Sequence, residues 1–208
     1  MAALVVAVII VMLCLYKPLG YIPSGESSKK EVTTYVTHVL GQGVYNYAQR
    51  QEPFDLVIPQ ERTEDIINLA EWPQESGGVK VSRPKSVFEP GEITLMGTLN
   101  IKGVDVFVTV TAEPTIDELG LLNLHLAKVK VGAANITLVA RAIAAGVCKG
   151  RFDGTDTEKW ESKIAGSLLN DEPFEPIFSV DKGRKEIRIE RITLEHEKLT
   201  IRFVPAFD

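Results

Sequence analysis

The chain has 208 residues, 45% of them hydrophobic and 25% charged, which is globular composition and excludes a disordered or low-complexity protein. Its formal charge of −5 lies entirely beyond Tyr16 and argues against a nucleic-acid partner. The cysteines, Cys14 and Cys148, fall one in an apolar leader and one in the body of the chain, so no disulfide framework is available.

From Ala2 to Tyr16 the sequence is uninterruptedly apolar. After Lys17 the pattern continues to Ile22, and a lysine near a helix end can extend its ammonium to the interface, so residues 1–22 reach the ~20 a membrane-spanning helix needs. Tyr16 and Tyr21 suit the bilayer interface, and Pro18 ends or kinks the helix. A cleaved signal peptide is the rival reading, but the segment has no basic n-region and no small-x-small cleavage site before Glu26. Lys17, Lys29 and Lys30 all follow the span and favour a cytoplasmic domain by the positive-inside rule. A few charges are a weak determinant against a whole domain, and the reading adopted is a single-pass anchor with the domain extracytoplasmic.

Residues 23–30, containing Gly25-Glu26-Ser27-Ser28-Lys29-Lys30, read as a flexible tether, and residues 31–208 as one domain. Val32, Tyr35, Val36, Val39, Leu40, Gly43, Val44 and Tyr47 recur at helical spacing, which predicts an amphipathic helix. Phe54 to Ile58 reads as a strand, and Thr63 with Glu64 and Asp65 as a helix start capped by Thr63, with Ile66, Ile67 and Leu69 facing inward. Gln74 to Gly78 reads as a loop. Period-two alternation follows, and Ile93 to Ile101 and Val104 to Thr111 flank Lys102-Gly103 as a hairpin. Pro114 to Gly120 reads as a long turn. Leu122, Leu124 and Leu126 keep the alternation until it slips to Val129 and Val131, which predicts a bulge near Ala127 and Lys128.

Asn135 to Val147 has a helical stripe of Ile136, Val139, Ala140, Ile143, Ala144 and Val147, with Arg141 almost alone in charge, so a mostly buried helix is expected. A second helix is signalled by Thr155 and Glu158 as a capping box and by Trp160, Ile164 and Leu168, with Pro173 closing it. The C-terminus reads as short strands at Ile187 and Ile189, at Ile192 and Leu194, and at Leu199 to Phe203 after a turn at Glu195 to Lys198. The fold class is α+β, a curved antiparallel sheet packed by amphipathic helices.

Catalytic signatures are not found. His38, His125 and His196 share no ligand spacing with each other or with a cysteine, and neighbours in Glu195-His196-Glu197 point to opposite faces of a strand, so no metal is assigned. There is no Gly-x-Ser-x-Gly elbow, and Gly41-Gln42-Gly43 lacks the third glycine and the preceding strand of a phosphate loop. Glu186 and Glu190 have the setting of a solvated strand face. No catalytic residue and no cofactor are assigned, and the chain is read as not an enzyme. Asn135-Ile136-Thr137 is a formal glycosylation sequon in a helical setting that disfavours modification, and Lys182-Gly183-Arg184-Lys185 is a small basic cluster at a turn.

The informative feature is the supply of apolar surface. A sheet with a helix along its concave face can enclose an elongated groove, here lined by Val106, Val108, Ile136, Val139 and Ile143, and a membrane tether would keep that groove near lipid. Two readings stand: a lipid or hydrophobic-ligand binding module with an apolar cavity, or an envelope assembly protein with a filled core and an exposed patch for a protein partner.

The order of apolar span, helix, Phe54-Asp55-Leu56-Val57-Ile58, Thr63-Glu64-Asp65-Ile66-Ile67-Asn68, alternating strands, Gly120-Leu121-Leu122-Asn123-Leu124 and Val129-Lys130-Val131-Gly132 resembles the YpmS-like bacterial envelope proteins and the related LmeA-type lipid-binding proteins. The resemblance implies an extracytoplasmic domain of tubular-lipid-binding-like architecture that handles envelope lipids without catalysis. The chain departs from that pattern at Ala133-Ala134, where a small-residue and proline turn is usual, and in the Arg151 to Leu169 helix. No ligand residue is carried over.

Overall fold

The computed structural model describes residues 34–76, 78–141, 160–180 and 185–206. The proposed anchor at 1–22 and tether at 23–30 lie outside these residues, as do Ile143, the capping box at Thr155 and Glu158, and all of the basic cluster except Lys185. Among the described residues no helix is long and apolar enough to cross a membrane.

The fold is α+β, with two mostly antiparallel sheets and few helices. The first sheet joins the two ends of the described chain. Strand β1 (Phe54–Pro59) pairs with the last strand, β11 (Lys198–Pro205), which pairs with β10 (Lys185–Glu195) and through it with β9 (Ile177–Val180). The second sheet has seven strands in the order β2 (Gln74–Ser76), β3 (Val79–Val81), β5 (Glu92–Ile101), β6 (Val104–Ile116), β7 (Leu122–Val131) and β8 (Ala134–Asn135), with β4 (Lys85–Glu89) also on β5. β3 and β4 share one edge of β5: Val79 to Val81 pair with Leu99 to Ile101, and Lys85 to Glu89 with Glu92 to Met96. Ser82 bridges the gap, exchanging backbone and hydroxyl bonds with Thr98 at 2.8 and 2.7 Å.

The hairpin of β5 and β6 forms as expected and turns through Lys102 and Gly103, both at positive φ, which matches the twist of the flanking strands. The alternation slip in β7 is a bulge. Thr111 pairs with Lys128 and Ala112 with Leu126, so Ala127 is the extra residue, and Leu126 and Val129 keep to the same face. Pro114 falls within β6 rather than starting a turn. The β5 pairing stops at Ala112, so the missing N–H of Pro114 costs no ladder bond.

Other expectations are corrected. The first helix begins as a π-helical segment, Tyr35–Gly43, and tightens into α1 (Val44–Arg50), where Val44 N–H reaches Leu40 and Gly41. Its wider turns spoil the 3.6-residue stripe, leaving Val39 and Tyr47 exposed and only Ala48 fully buried. Thr63 is the first residue of α2 (Thr63–Ile67), not its cap; its hydroxyl donates to the Gln60 carbonyl and meets Ser86. The turn at Gln74 to Gly78 carries β2. Asn135 ends a strand, and helix begins at 137–141. Ile187 to Leu194 is one strand with a bulge at Glu190, not two.

The core lies between the inner face of the first sheet, α1 and α3 (Trp160–Asn170): Ala48, Phe54, Leu122, Phe174, Ile187, Ile189 and Phe203 are buried together. Its aromatic rings form a chain, Tyr47 on Phe54 at 4.8 Å, Phe54 on Phe203 at 5.0 Å, and Trp160 on Phe178 at 4.1 Å. The outer face of the same sheet is charged, with Arg202 held between Asp55 at 3.2 Å and Glu190 at 3.0 Å. Those two carboxylates raise the Arg202 pKa, Asp55 chiefly.

β7 passes β8 only at Lys130 and Val131, so its other end needs different partners. Leu122 exchanges both backbone bonds with Phe174, Leu124 N–H donates to Ser167 Oγ at 2.7 Å, and Arg141 donates to the Leu126 carbonyl at 2.7 Å and to Asp171 at 3.2 Å. Ser167 is wholly buried, so the face that α3 turns to the sheet centres there and not on Ile164, which is exposed. Arg141→Ala is expected to cost about 1–3 kcal/mol by stranding the Leu126 carbonyl and leaving Asp171 with His125 as its remaining side-chain partner. Urea unfolding measures this, with an unchanged midpoint as the contrary result.

Candidate functional site

Residues directly opposite in an antiparallel ladder share a face, so the registers of the seven-stranded sheet sort its side chains. One face carries Phe88 of β4; Ile93, Leu95, Leu99 and Ile101 of β5; and Val104, Val106, Val108 and Val110 of β6. β3 adds Val79 and Val81, and β7 adds Leu122, Leu124, Leu126, Val129 and Val131. The bulge at Ala127 keeps this set together, since without it Leu126 and Val129 would point oppositely. Five strands therefore contribute one aliphatic surface.

The surface is sealed unevenly. Phe88 of β4, which β10 and β11 both meet, is buried, as are Leu122, Leu126 and Val129 of β7. Ile101 and Val104, beside the β5–β6 turn, are 41% and 52% exposed, and Leu95, nearer the other end of β5, is 41% exposed, so the same face is open at these positions. The opposite face is polar, with Thr94 and Thr111 hydroxyls 3.0 Å apart and Asn100 donating to Asp105 at 2.6 Å. Val87, Met96 and Phe107 are its apolar members, and Phe107 is 1% exposed.

Of the residues the sequence places in an apolar groove, Val106, Val108 and Ile136 fall on the aliphatic face, all half-buried. Ile136 N–H bonds the Val129 carbonyl, extending the β7–β8 ladder by one pair and so sharing the face of Val129. Val139, in the helical turn beyond, is 57% exposed, and its neighbour Leu138 is 84% exposed. Ile143 lies outside the described residues.

The polar candidates stay apart. His38 pairs with Gln42, His125 Nδ1 meets Asp171 at 2.6 Å, and His196 Nδ1 meets Glu89 at 3.0 Å. Among the described residues no group of three or more His, Cys, Asp or Glu could hold a metal ion. A polar cleft of about 360 Å³ runs past Gln60, Thr63, Lys85, Ser86 and Glu197, where Gln60 Oε1 accepts the Phe88 N–H at 2.7 Å and so serves the fold. Asn135 Oδ1 accepts the Thr137 N–H and hydroxyl at 3.1 and 2.6 Å, an exposed turn rather than the helical setting expected for the sequon. Tyr35 donates to the Val57 carbonyl at 3.3 Å with the Arg62 guanidinium 5.5 Å from its ring. Burial raises the Tyr35 pKa, Arg62 opposes that, and Asp65 adds to it.

The Arg141, Asp171 and His125 group had no signal in the sequence beyond the isolation of Arg141 on an apolar stripe. Its members are separated by up to 46 residues and meet only because α3 and the turn after it cover the edge of β7.

The chain matches no protein-family model, and no curated protein or solved structure shows significant similarity to it.

Proposed function

We propose that this chain is a non-catalytic protein held at a membrane by residues 1–22, with residues 31–208 extracytoplasmic in a tubular-lipid-binding-like arrangement, and that it binds lipid or another hydrophobic ligand of the cell envelope. The observation that carries the reading is the aliphatic face of the seven-stranded sheet, continuous over five strands and open at Leu95, Ile101 and Val104. Aliphatic side chains exposed together on one face form the kind of patch that marks binding sites for apolar partners. No charged residue stands in register on this face among Leu95, Leu99, Ile101, Val104 and Val106, which suits hydrocarbon. The tether would hold the face within reach of a bilayer, the source of such a ligand.

A second reading keeps the face and changes the occupant to an envelope protein. It draws on the openness of that face, since a sheet surface with exposed Leu95 and Val104 also suits a partner's apolar side chains. Native mass spectrometry of residues Lys29 to Asp208 from a lipid-containing host, with organic extraction of the bound material, separates the two. Co-purifying lipid supports the ligand-binding reading. Protein that arrives empty and takes up no added phospholipid or fatty acid transfers the assignment to the protein partner.

A further inference from the structure

We propose that the π-helical segment Tyr35–Gly43 is a releasable strap over the free edge of β1, latched by the Tyr35 hydroxyl, and that its release lets β1 pair with β1 of a second copy of this chain. Among the described residues β1 pairs on one side only, with β11. In an antiparallel strand the N–H and C=O of one residue point to the same side. The Val57 carbonyl accepts the Tyr35 hydroxyl, so Val57, and by the two-residue period Asp55, present both backbone groups to the free edge. An edge of this kind is a template for a further strand, and a covering element is one of the ways in which proteins guard it.

The cover is shallow. No residue of Tyr35–Gly43 is fully buried, Val39 is 45% exposed, and a groove of about 320 Å³ separates His38, Val39 and Tyr47 from Leu56 and Val57. The hydroxyl bond at 3.3 Å is long, and Arg62, which sits over the ring, is itself steadied by Asp65 at 3.4 Å. Two glycines, Gly41 and Gly43, further weaken the segment as a helix.

The edge suits its own copy. In a two-fold pairing Asp55 stands opposite Val57 of the second copy and Val57 opposite its Asp55, so no like charges face each other, and each Asp55 carboxylate is already neutralised by Arg202 of its own chain. Both positions supply an N–H and a C=O, which closes reciprocal bonds across the pair.

The test uses the full chain in detergent micelles, with Tyr35→Phe and Tyr35→Ala. Tyr35→Phe keeps the ring and removes only the latch, so amide exchange over residues 39–43 is expected to accelerate roughly five- to tenfold. Exchange over Ile187 to Ile189 in the core is expected to stay unchanged. Light scattering on both variants is expected to show protein mass rising toward twice that of the wild type with concentration. Adding Val57→Pro, which removes an edge-facing N–H and no ladder bond, is expected to restore the wild-type mass. Unchanged exchange over 39–43 overturns the latch. Accelerated exchange without a mass increase, or an increase that survives Val57→Pro, overturns the pairing.

Discussion

Phe203→Ala is expected to lower the unfolding free energy by about 3–5 kcal/mol, a large part of the 5–15 kcal/mol typical of a domain. Phe203 is 7% exposed and lies opposite Phe54 on β1 and Ile189 on β10, so its ring joins the first strand of the fold to two of the last. It stacks on Phe54 at 5.0 Å and meets Phe178 edge-on at 6.2 Å. Truncation leaves a void between groups fixed by three strands, which cannot collapse to fill it, and that puts the loss at the cavity end of the range. The measurement is equilibrium urea unfolding, read as a fall in midpoint at constant slope. Val57→Ala serves as the reference, since Val57 is 44% exposed on the outer face of the same strand pair, and is expected to change stability by no more than about 0.5 kcal/mol. Equal effects from the two substitutions would place the core elsewhere.

The contrast between β7 and β1 shows what the sequence carries by itself. In β7 the bulge at Ala127 is written in the residues, because Leu126 and Val129 break a period of two that holds on both sides, and the structure puts the extra residue there. The β5–β6 hairpin is equally local, since Lys102-Gly103 supplies both positive φ values its turn requires. The pairing of β1 with β11 has no such signature: Asp55 and Arg202, joined at 3.2 Å, are 147 residues apart. Short strands were illegible for a related reason. β2 and β8 have three and two residues, too few for a period to show, and are strands only because a longer neighbour offers an edge. In β10 the charged Glu190 and Arg191 between Ile189 and Ile192 look like a break in the chain's direction, whereas the ladder absorbs Glu190 as a bulge and ties it to Arg202.

For the candidate site, Val106 and Val108 were accessible to sequence reasoning because alternation alone places them on one face. What it could not supply is which part of that face is covered. That depends on where β10 and β11 cross β4 and β6, a matter of tertiary packing. The same limit applies to the first helix, whose apolar stripe fits an α-helix while the chain adopts a wider turn over the edge of β1.

The uneven covering leads to the second large effect, a separation of stability from binding along one face. Leu126 is 5% exposed and Leu95 is 41% exposed, yet both belong to the same aliphatic surface. A carboxylate at Leu126 would have to be desolvated without a partner, so Leu126→Asp is expected to cost at least about 3–5 kcal/mol and to impair folding. At Leu95 or Val104 the new carboxylate keeps its water, and the loss is limited to partial apolar burial, about 1 kcal/mol each. If hydrocarbon occupies the open part, the double variant Leu95→Asp with Val104→Asp must desolvate two charges on binding, and uptake of a fluorescent fatty acid by the folded variant is expected to fall by more than about tenfold while the unfolding free energy falls by no more than about 2 kcal/mol. Binding retained by a folded double variant would remove this face as the ligand site. Binding lost only in proportion to stability would mean that the face holds the fold together and nothing else, because a ligand surface must be dispensable to the unliganded protein at the positions where the ligand sits.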